Sequence, residues 1–167
     1  MTSFLRPLAV WVAAAALSAA VHLVPTDGSP YPPPILTRLT VVYKSAISNQ
    51  IGTRVFASCL IQYDGANCTI TTGKSVSREV QLAFGMTWAA ATSQLGIGRS
   101  TSITTTVSCQ SPGLPAGTTW KARPVGTKYT YKIRRDTIQA GHVIRTATSG
   151  RLTAFNPSAS HIACGAR

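Results

Sequence analysis

Acidic residues are scarce in this sequence. Aspartate and glutamate together number 4, against 16 lysines and arginines. Most glycosidases need two carboxylates flanking the scissile bond. The acids Asp27, Asp64, Glu79 and Asp136 are widely spaced, which makes such a pair hard to assemble. The G-x-S-x-G, H-E-x-x-H and phosphate-loop motifs are also missing from the chain, so the sequence lacks the signatures of several hydrolase and nucleotide-binding classes.

Histidine is also rare, but its placement leaves one catalytic hypothesis open. His142 and His161 lie in the region expected to fold. Two histidines and a lysine can cleave RNA by general acid–base chemistry, and a basic protein attracts that substrate. Neither histidine has an acidic neighbour in sequence to orient it. We therefore predict that the protein is not an enzyme and keep a secreted ribonuclease, with nucleic acid as its ligand, as the third choice.

Long apolar runs are absent except near the N-terminus. Residues 8–17 (LAVWVAAAAL) follow the single charge of Arg6 and precede Ser18-Ala19-Ala20. This order is typical of a secretory signal peptide cleaved after Ala20. The run is shorter than the roughly 20 apolar residues of a spanning helix. We therefore predict a signal peptide at residues 1–20 and a secreted, extracellular product.

Proline is concentrated directly after this segment. Residues 21–34 include the run Pro32-Pro33-Pro34. Proline fixes φ and favours an extended, polyproline-like chain. The segment is therefore expected to be a linker or an arm, with Tyr31 as its candidate anchor in a partner's groove. Residues 35–167 are then expected to form a single β-rich domain.

Cysteine is infrequent, and its number is even. The four cysteines are Cys59, Cys68, Cys109 and Cys164. In an exported chain this pattern favours two disulfides over metal ligation, and the C-x₂₋₄-C pairs of zinc sites do not occur. Three pairings are possible. We favour Cys59 with Cys68, across a tight turn, and Cys109 with Cys164. Neither a metal nor a cofactor is predicted.

Alternating apolar and polar residues, separated by turn signals, dominate the remainder of the chain. Asp64-Gly65 is one such turn signal, and Arg78 interrupts the apolar face of its strand, which favours an edge or a bend there. We predict strands at residues 39–44, 54–63, 67–72, 75–84, 100–110 and 129–135, a short strand opened by Trp120, and a closing hairpin of 142–148 and 151–155 around Ser149-Gly150.

One short helix is expected within this pattern. Residues 87–95 form two helical turns if Thr87 caps the start and Gly96 ends the last turn. Trp88, Ala91 and Leu95 then share a face toward the sheet. The expected fold is all-β, an antiparallel β-sandwich or small barrel with one short helix, stapled by disulfides.

Positive charge is the most abundant chemical feature. The formal net charge is +12, which attracts anionic surfaces. In the strand 129–135, the tyrosines and Ile133 share the face expected to enter the core, while Lys132 and Arg134 share the other. The predicted partner is an acidic protein or an anionic cell-envelope surface. The candidate contact residues are Arg123, Lys128, Lys132, Arg134 and Arg135, with Tyr31 in the arm.

Residues 68–133, about 40% of the chain, contain motifs that resemble those of a group of known proteins. The motifs are Gln94-Leu95-Gly96-Ile97, Leu114-Pro115-Ala116-Gly117 and Pro124-Val125-Gly126-Thr127-Lys128-Tyr129. The stretch resembles small exported β-proteins of actinobacteria. In size, export, charge and N-terminal arm the chain is similar to the adaptor subunits of secreted umbrella toxin particles, which join a lectin-like subunit to a toxin-bearing one. That similarity implies a structural, binding role.

A membrane-active hairpin is the second functional hypothesis. Residues 75–84 and 100–110 have the 9 to 11 residues of a membrane β-strand, as a rough guide, and they are loosely similar to aerolysin-type pore-forming proteins. Arg78 on the apolar face and a bridged Cys109 disfavour insertion. The first hypothesis is therefore a secreted, non-catalytic binding or adaptor module with a basic surface, and the resemblance to adaptor subunits implies a place within a secreted toxin assembly.

Overall fold

Strands account for most of the residues that the computed structural model describes, which are residues 32–166. Strands occupy 56% of them and every ladder is antiparallel, so the predicted all-β class with one short helix is confirmed. In chain order the elements are β1 (Leu36–Ile51), β2 (Ala57–Leu60), β3 (Thr69–Ile70), β4 (Ser75–Ser77), β5 (Glu79–Val80), α1 (Trp88–Leu95), β6 (Ser102–Thr104), β7 (Cys109–Gln110), β8 (Thr119–Gln139), β9 (His142–Thr148) and β10 (Leu152–Gly165).

The 21-residue strand β8 is the centre of the main sheet. β2 and then β1 pair along one of its edges, while β10 and then β9 pair along the other. β5 adds to the outer side of β10 and completes six strands. Two small ladders, β3 with β7 and β4 with β6, lie outside this sheet. The long chain segment between β1 and β8 therefore supplies the small elements, and the long strands supply the frame.

A two-residue turn joins β8 to β9. Ala140 and Gly141 both have positive φ, at 48° and 80°. This is the backbone of a type I′ hairpin turn, whose twist matches that of the flanking strands. The sequence prediction placed the closing hairpin elsewhere, around Ser149-Gly150, and that prediction was wrong.

β9 and β10 instead form one interrupted strand along the same edge of β8. Ser149 fills the interruption. Its backbone N–H donates to the Ile133 carbonyl at 2.9 Å, and its Oγ accepts from the Ile133 N–H at 2.9 Å. A serine can replace a ladder pair in this way because its side chain bonds backbone groups. Ser149-Gly150 therefore interrupts one strand edge, although the sequence pattern predicted a hairpin turn at these residues.

The two halves of β8 bury opposite faces. Near its start, Ala122, Pro124 and Gly126 are buried; further along, Tyr131 and Ile133 are buried. Because successive strand residues point to opposite faces, the inward face changes from even to odd positions. Tyr131 and Ile133 pack with residues of α1, which confirms the predicted core side of residues 129–135.

The helix α1 has the predicted caps. The Thr87 side chain accepts from the Ala90 N–H at 3.3 Å, and Gly96 takes a left-handed φ of 74°. Ala91 and Leu95 are buried against the sheet as predicted. Trp88, predicted on the same face, is half-buried, and its indole N–H donates to the Arg99 carbonyl at 3.3 Å. Local capping signals thus define this helix correctly.

Several predicted strands are shorter than expected. The stretch 75–84 breaks at Arg78 into β4 and β5, which pair with different strands, and the stretch 100–110 divides into β6 and β7. At the break, the Arg78 guanidinium donates to Asn156 Oδ1 at 2.8 Å and to the Ser100 carbonyl at 2.7 Å. The strand is therefore interrupted at the residue that interrupts its apolar face in the sequence.

Both predicted disulfides are present. Cys59 bonds to Cys68 and Cys109 bonds to Cys164. The turn at Asp64-Gly65 closes the first loop as expected, but β2 and β3 do not pair with each other; β2 joins β8 and β3 joins β7. The second bridge ties β7 to β10. Within residues 32–166, no helix is long and apolar enough to cross a membrane.

Candidate binding surface

The half of the main sheet formed by β1, β8 and β9 has two unlike faces. One face packs against α1 through Tyr131 and Ile133. Alternation places Lys128, Lys132 and Arg134 on the other face. Asp136 falls on this same face by alternation, and the strand register pairs it with Arg38 of β1. We call this second face the open face, defined by Arg38, Lys128, Lys132 and Arg134. Three of the predicted contact residues, Lys128, Lys132 and Arg134, lie on the open face.

Two of the predicted contact residues lie on the opposite side of the strand. Arg135 stacks over the Phe84 ring, with its guanidinium carbon 4.9 Å from the ring centre, on the helix side. Arg123 also occupies an odd position of β8. Arg123 and Arg135 therefore do not share the face of Lys132 and Arg134, because neighbours in a strand point apart. Tyr31 lies outside the described residues.

A buried carboxylate organises the open face. Asp136 has a side chain only 3% exposed, although it lies on this face. Its Oδ2 accepts from Arg38 Nη2 at 3.2 Å and lies 3.3 Å from Arg134 Nε, and its Oδ1 accepts from the Thr146 hydroxyl at 2.9 Å. A buried charge is stable only when it is paired and hydrogen-bonded, and this carboxylate has both kinds of partner.

These partners set the ionisation of the carboxylate. Burial raises the pKa of Asp136, but the hydrogen bonds from Thr146 and Arg38 and the charges of Arg134 and Arg38 outweigh it and hold the pKa below its ordinary value of 3.8. Asp136 is therefore ionised at neutral pH, and it offsets one of the two guanidinium charges beside it.

The cations of the open face remain accessible to a partner. The Arg38 side chain is 56% exposed and the Arg134 side chain is 42% exposed. Thr40 and Thr148 flank Arg134 across the strands, so its direct neighbours are small and uncharged. Lys132 lies 5.9 Å from the centre of the Tyr43 ring, a distance at which the ring face attracts a cation.

The outer edges of this half of the sheet are irregular. β1 is bulged between Val42 and Ser45 and between Ile47 and Gln50. The Gln94 amide covers the edge of β1 just before the first bulge, accepting from the Val41 N–H at 2.7 Å and donating to the Leu39 carbonyl at 3.3 Å. Bulges and side-chain cover discourage pairing with another strand. A partner is therefore better accommodated on the face than along the edge of β1.

Sequence reasoning missed two residues of this surface, Arg38 and Asp136. Asp136 lies two positions beyond Arg134 in an alternating strand, so its side could have been inferred. Arg38 carried no such signal. It is 98 positions from Asp136 along the chain, and only the β1–β8 register brings the two together.

Other candidate sites in the described residues are weak. Cavities of about 190 and 220 Å³ adjoin Gly52 and Phe155, and one of about 250 Å³ adjoins Phe56 and Ile70. All three are smaller than the roughly 300 Å³ at which small-molecule sites begin. Among residues 32–166, no three His, Cys, Asp or Glu side chains gather as a metal site would require.

Comparison of the chain with family models, with curated proteins and with solved structures found no match. Its function must therefore be inferred from its own residues, their geometry and their charges.

Proposed function

We propose that this protein is a secreted, non-catalytic binding or adaptor module that engages an acidic protein partner through the open face. The observation that carries the proposal is the collection of Arg38, Lys128, Lys132 and Arg134 on one sheet face, opposite the face that packs on α1. A rigid strand frame fixes these cations relative to each other, which suits recognition of a complementary surface.

The carboxylates of the described chain offset only part of this positive field. Glu79 lies 3.9 Å from Arg54 and lines a cavity with Lys128, so it offsets one charge at that end of the open face. Asp64 accepts from the Ala116 N–H at 2.8 Å, outside the ladders of β8. Asp136 is shared between two arginines. The face therefore keeps a net positive charge, which accelerates encounter with an anionic partner and weakens as salt rises.

The positions of the histidines favour binding over catalysis. His142 pairs with Gln139 at one end of β8, whereas His161 adjoins Ile162, which pairs with Pro124. The stretch of β8 between these partners is roughly 50 Å long at about 3.3 Å per residue. His161 Nδ1 lies 3.0 Å from the Ser160 hydroxyl. An acid–base pair needs both groups at one reacting centre.

The strand lengths weigh against the membrane-hairpin alternative. β4 and β6, which the hairpin hypothesis treated as parts of long strands, have three residues each. A membrane β-strand needs about 9 to 11 residues. The predicted export, the predicted N-terminal arm and the resemblance of the sequence to adaptor subunits are consistent with a module that joins other proteins outside the cell.

A charge-reversal experiment tests the proposal. Lys128→Glu with Lys132→Glu reverses two cations of the open face without touching Asp136. The matched control, Lys74→Glu with Arg99→Glu, makes the same change in net charge at exposed positions outside the ladders of β8. Binding to poly-L-glutamate, as a model acidic polypeptide, should weaken about tenfold or more for the first pair at low salt and much less for the control.

Equal weakening by the two pairs would contradict a localised surface, because net charge alone would then explain the binding. Stronger binding of wild-type protein to dextran sulfate or teichoic acid than to poly-L-glutamate would redirect the proposal to an envelope polyanion. Release of dye from anionic vesicles would favour the membrane hypothesis instead.

A further inference from the structure

We infer that Asp136 is a positioning residue that holds Arg38 and Arg134 as a paired site for carboxylate side chains of the partner. This inference rests on the proposed function, and it makes that function specific. The open face would then recognise the shape of a carboxylate as well as its charge.

The geometry fixes the carboxylate from three directions. Both guanidiniums approach the same oxygen, Oδ2, at 3.2 Å from Arg38 and 3.3 Å from Arg134. The Thr146 hydroxyl bonds the other oxygen at 2.9 Å. These three partners come from β1, β8 and β9, so rotation of the Asp136 side chain would break contacts on every strand. The carboxylate therefore anchors Arg38 by a hydrogen bond and Arg134 by an ion pair.

The arginines meet this anchor with only part of their donor groups. Arg38 donates a hydrogen bond through one terminal nitrogen, Nη2, whereas Arg134 Nε is in ion-pair contact at 3.3 Å and is buried without a hydrogen bond. Among the described residues, Arg134 Nη1 and Nη2 have no hydrogen-bond or ion-pair partner, and the side chain is 42% exposed. A guanidinium carries five N–H donors in a planar fork. Donors therefore remain for a second carboxylate that arrives from solvent.

The charge of the cluster permits such a second anion. Two guanidiniums share one carboxylate, so the cluster retains one positive charge, and Lys132 adds another on the same face. Planar guanidinium forks match carboxylates in a bidentate contact. An anchored arginine also loses less rotamer freedom on binding than an unanchored one. Together these features favour Asp or Glu side chains over a diffuse anionic surface.

Asp136→Asn separates this inference from simple attraction. The substitution adds one positive charge to the open face, so attraction alone predicts tighter binding to poly-L-glutamate. Loss of the anchor predicts the reverse, about fivefold weaker binding, because the arginines are no longer held. Glu79→Gln is the matched control. It makes the same charge change on β5, away from the cluster, and should bind as tightly as wild type or slightly tighter.

Two further variants keep the test decisive if Asp136→Asn unfolds. Arg38→Lys preserves charge but replaces the planar fork with a point charge, and should weaken poly-L-glutamate binding about fivefold. Arg54→Lys is its control and should have little effect. Thr146→Val removes one hydrogen bond to the anchor without changing charge, and a smaller loss is expected. Circular dichroism of each variant establishes that it is folded.

The outcomes distinguish the inference from the proposed function. If wild-type protein fails to bind poly-L-glutamate, both fall. If wild-type protein binds but Asp136→Asn behaves like Glu79→Gln and Arg38→Lys behaves like Arg54→Lys, the paired site is overturned and the basic face survives. Equal weakening of dextran sulfate binding by Arg38→Lys would also overturn it, since the site would then show no preference for carboxylates.

Discussion

The two halves of β8 lie in regions that are built differently. At its start, β8 joins a region of short elements, in which β2, β3, β4, β6 and β7 have two to four residues each and both disulfides are found. Further along, it lies between the 16-residue β1 and the hairpin partner β9, with no cysteine in either. One region is ordered by covalent bridges, and the other by long ladders and the helix core.

The contrast explains where a binding surface can form. A long antiparallel ladder needs only one buried face, so the other can remain in solvent. Around Tyr131 and Ile133 the sheet packs on α1, which leaves Lys132 and Arg134 on the open face. Short ladders of two or three residues bury too little to form such a platform alone, and the bridges compensate for this.

Removing the Cys109–Cys164 bridge is the strongest way to break the short-element region. Its 55-residue separation predicts a loss of about 4 kcal/mol in the free energy of unfolding for Cys109→Ser with Cys164→Ser. The Cys59–Cys68 bridge spans 9 residues and predicts a loss of about 3 kcal/mol. Urea denaturation of the two double variants measures both. Losses below about 1 kcal/mol for both would contradict the dependence of this region on its bridges.

Gly126→Ala tests the point where the two halves of β8 meet. A Cβ at Gly126 would lie within 2.7 Å of Pro157 Cα and close to the Asn156 carbonyl, so the backbone of β10 would have to move. We expect a loss of about 3 kcal/mol in unfolding free energy.

Gly150→Ala is the control for this substitution. It adds a Cβ at a glycine with open space within 4 Å, in the interruption between β9 and β10, and should change stability by less than about 0.5 kcal/mol. Thermal unfolding measures both variants. An equal loss of unfolding free energy in the two would mean that the close approach of β10 at Gly126 does not explain the effect of the substitution.

Thr87→Ala probes the helix that covers the second half of β8. The Thr87 hydroxyl caps α1, so its loss should cost about 1 kcal/mol. Thr72→Ala, at an exposed position in the short-element region, should cost little by the same chemical denaturation. If both substitutions cost the same, the cap does not contribute to the helix-covered half.

Acid should weaken the long-strand region through Asp136. Its pKa is lowered by folding, so its contribution to stability is complete well above the ordinary value of 3.8 and is lost as pH falls through the lowered value. Asp136→Asn should flatten the fall in melting temperature between neutral and strongly acidic pH. A fall of unchanged steepness would mean that the carboxylate is not stabilised by its arginine and threonine partners.

Local patterns predicted much of the fold. Capping residues marked α1 at Thr87 and Gly96, alternation placed Tyr131 and Ile133 inside, and spacing favoured the disulfide pairing that is present. The capping and alternation signals each extend over only a few residues, and the four cysteines allow only three disulfide pairings. Their physical causes are short-range, so the sequence is sufficient.

The pairing of distant strands was not predictable in the same way. Nothing local indicates that β8 runs through Pro124 for 21 residues or that β9 and β10 share one of its edges. The same limit affected the site, because Arg38 reaches Asp136 only through the β1 register. Strand register depends on the balance of many non-local contacts, so half of the arginine pair was missed.

Mapping where an acidic chain touches the protein tests the location of the proposed surface. In a titration of ¹⁵N-labelled protein with poly-L-glutamate, amide chemical-shift changes should concentrate at Arg38, Lys132, Arg134 and Asp136. The basic residues Lys74 and Arg99 should change little. Shift changes spread evenly over all basic residues, or concentrated on the side covered by α1, would contradict a binding surface on the open face.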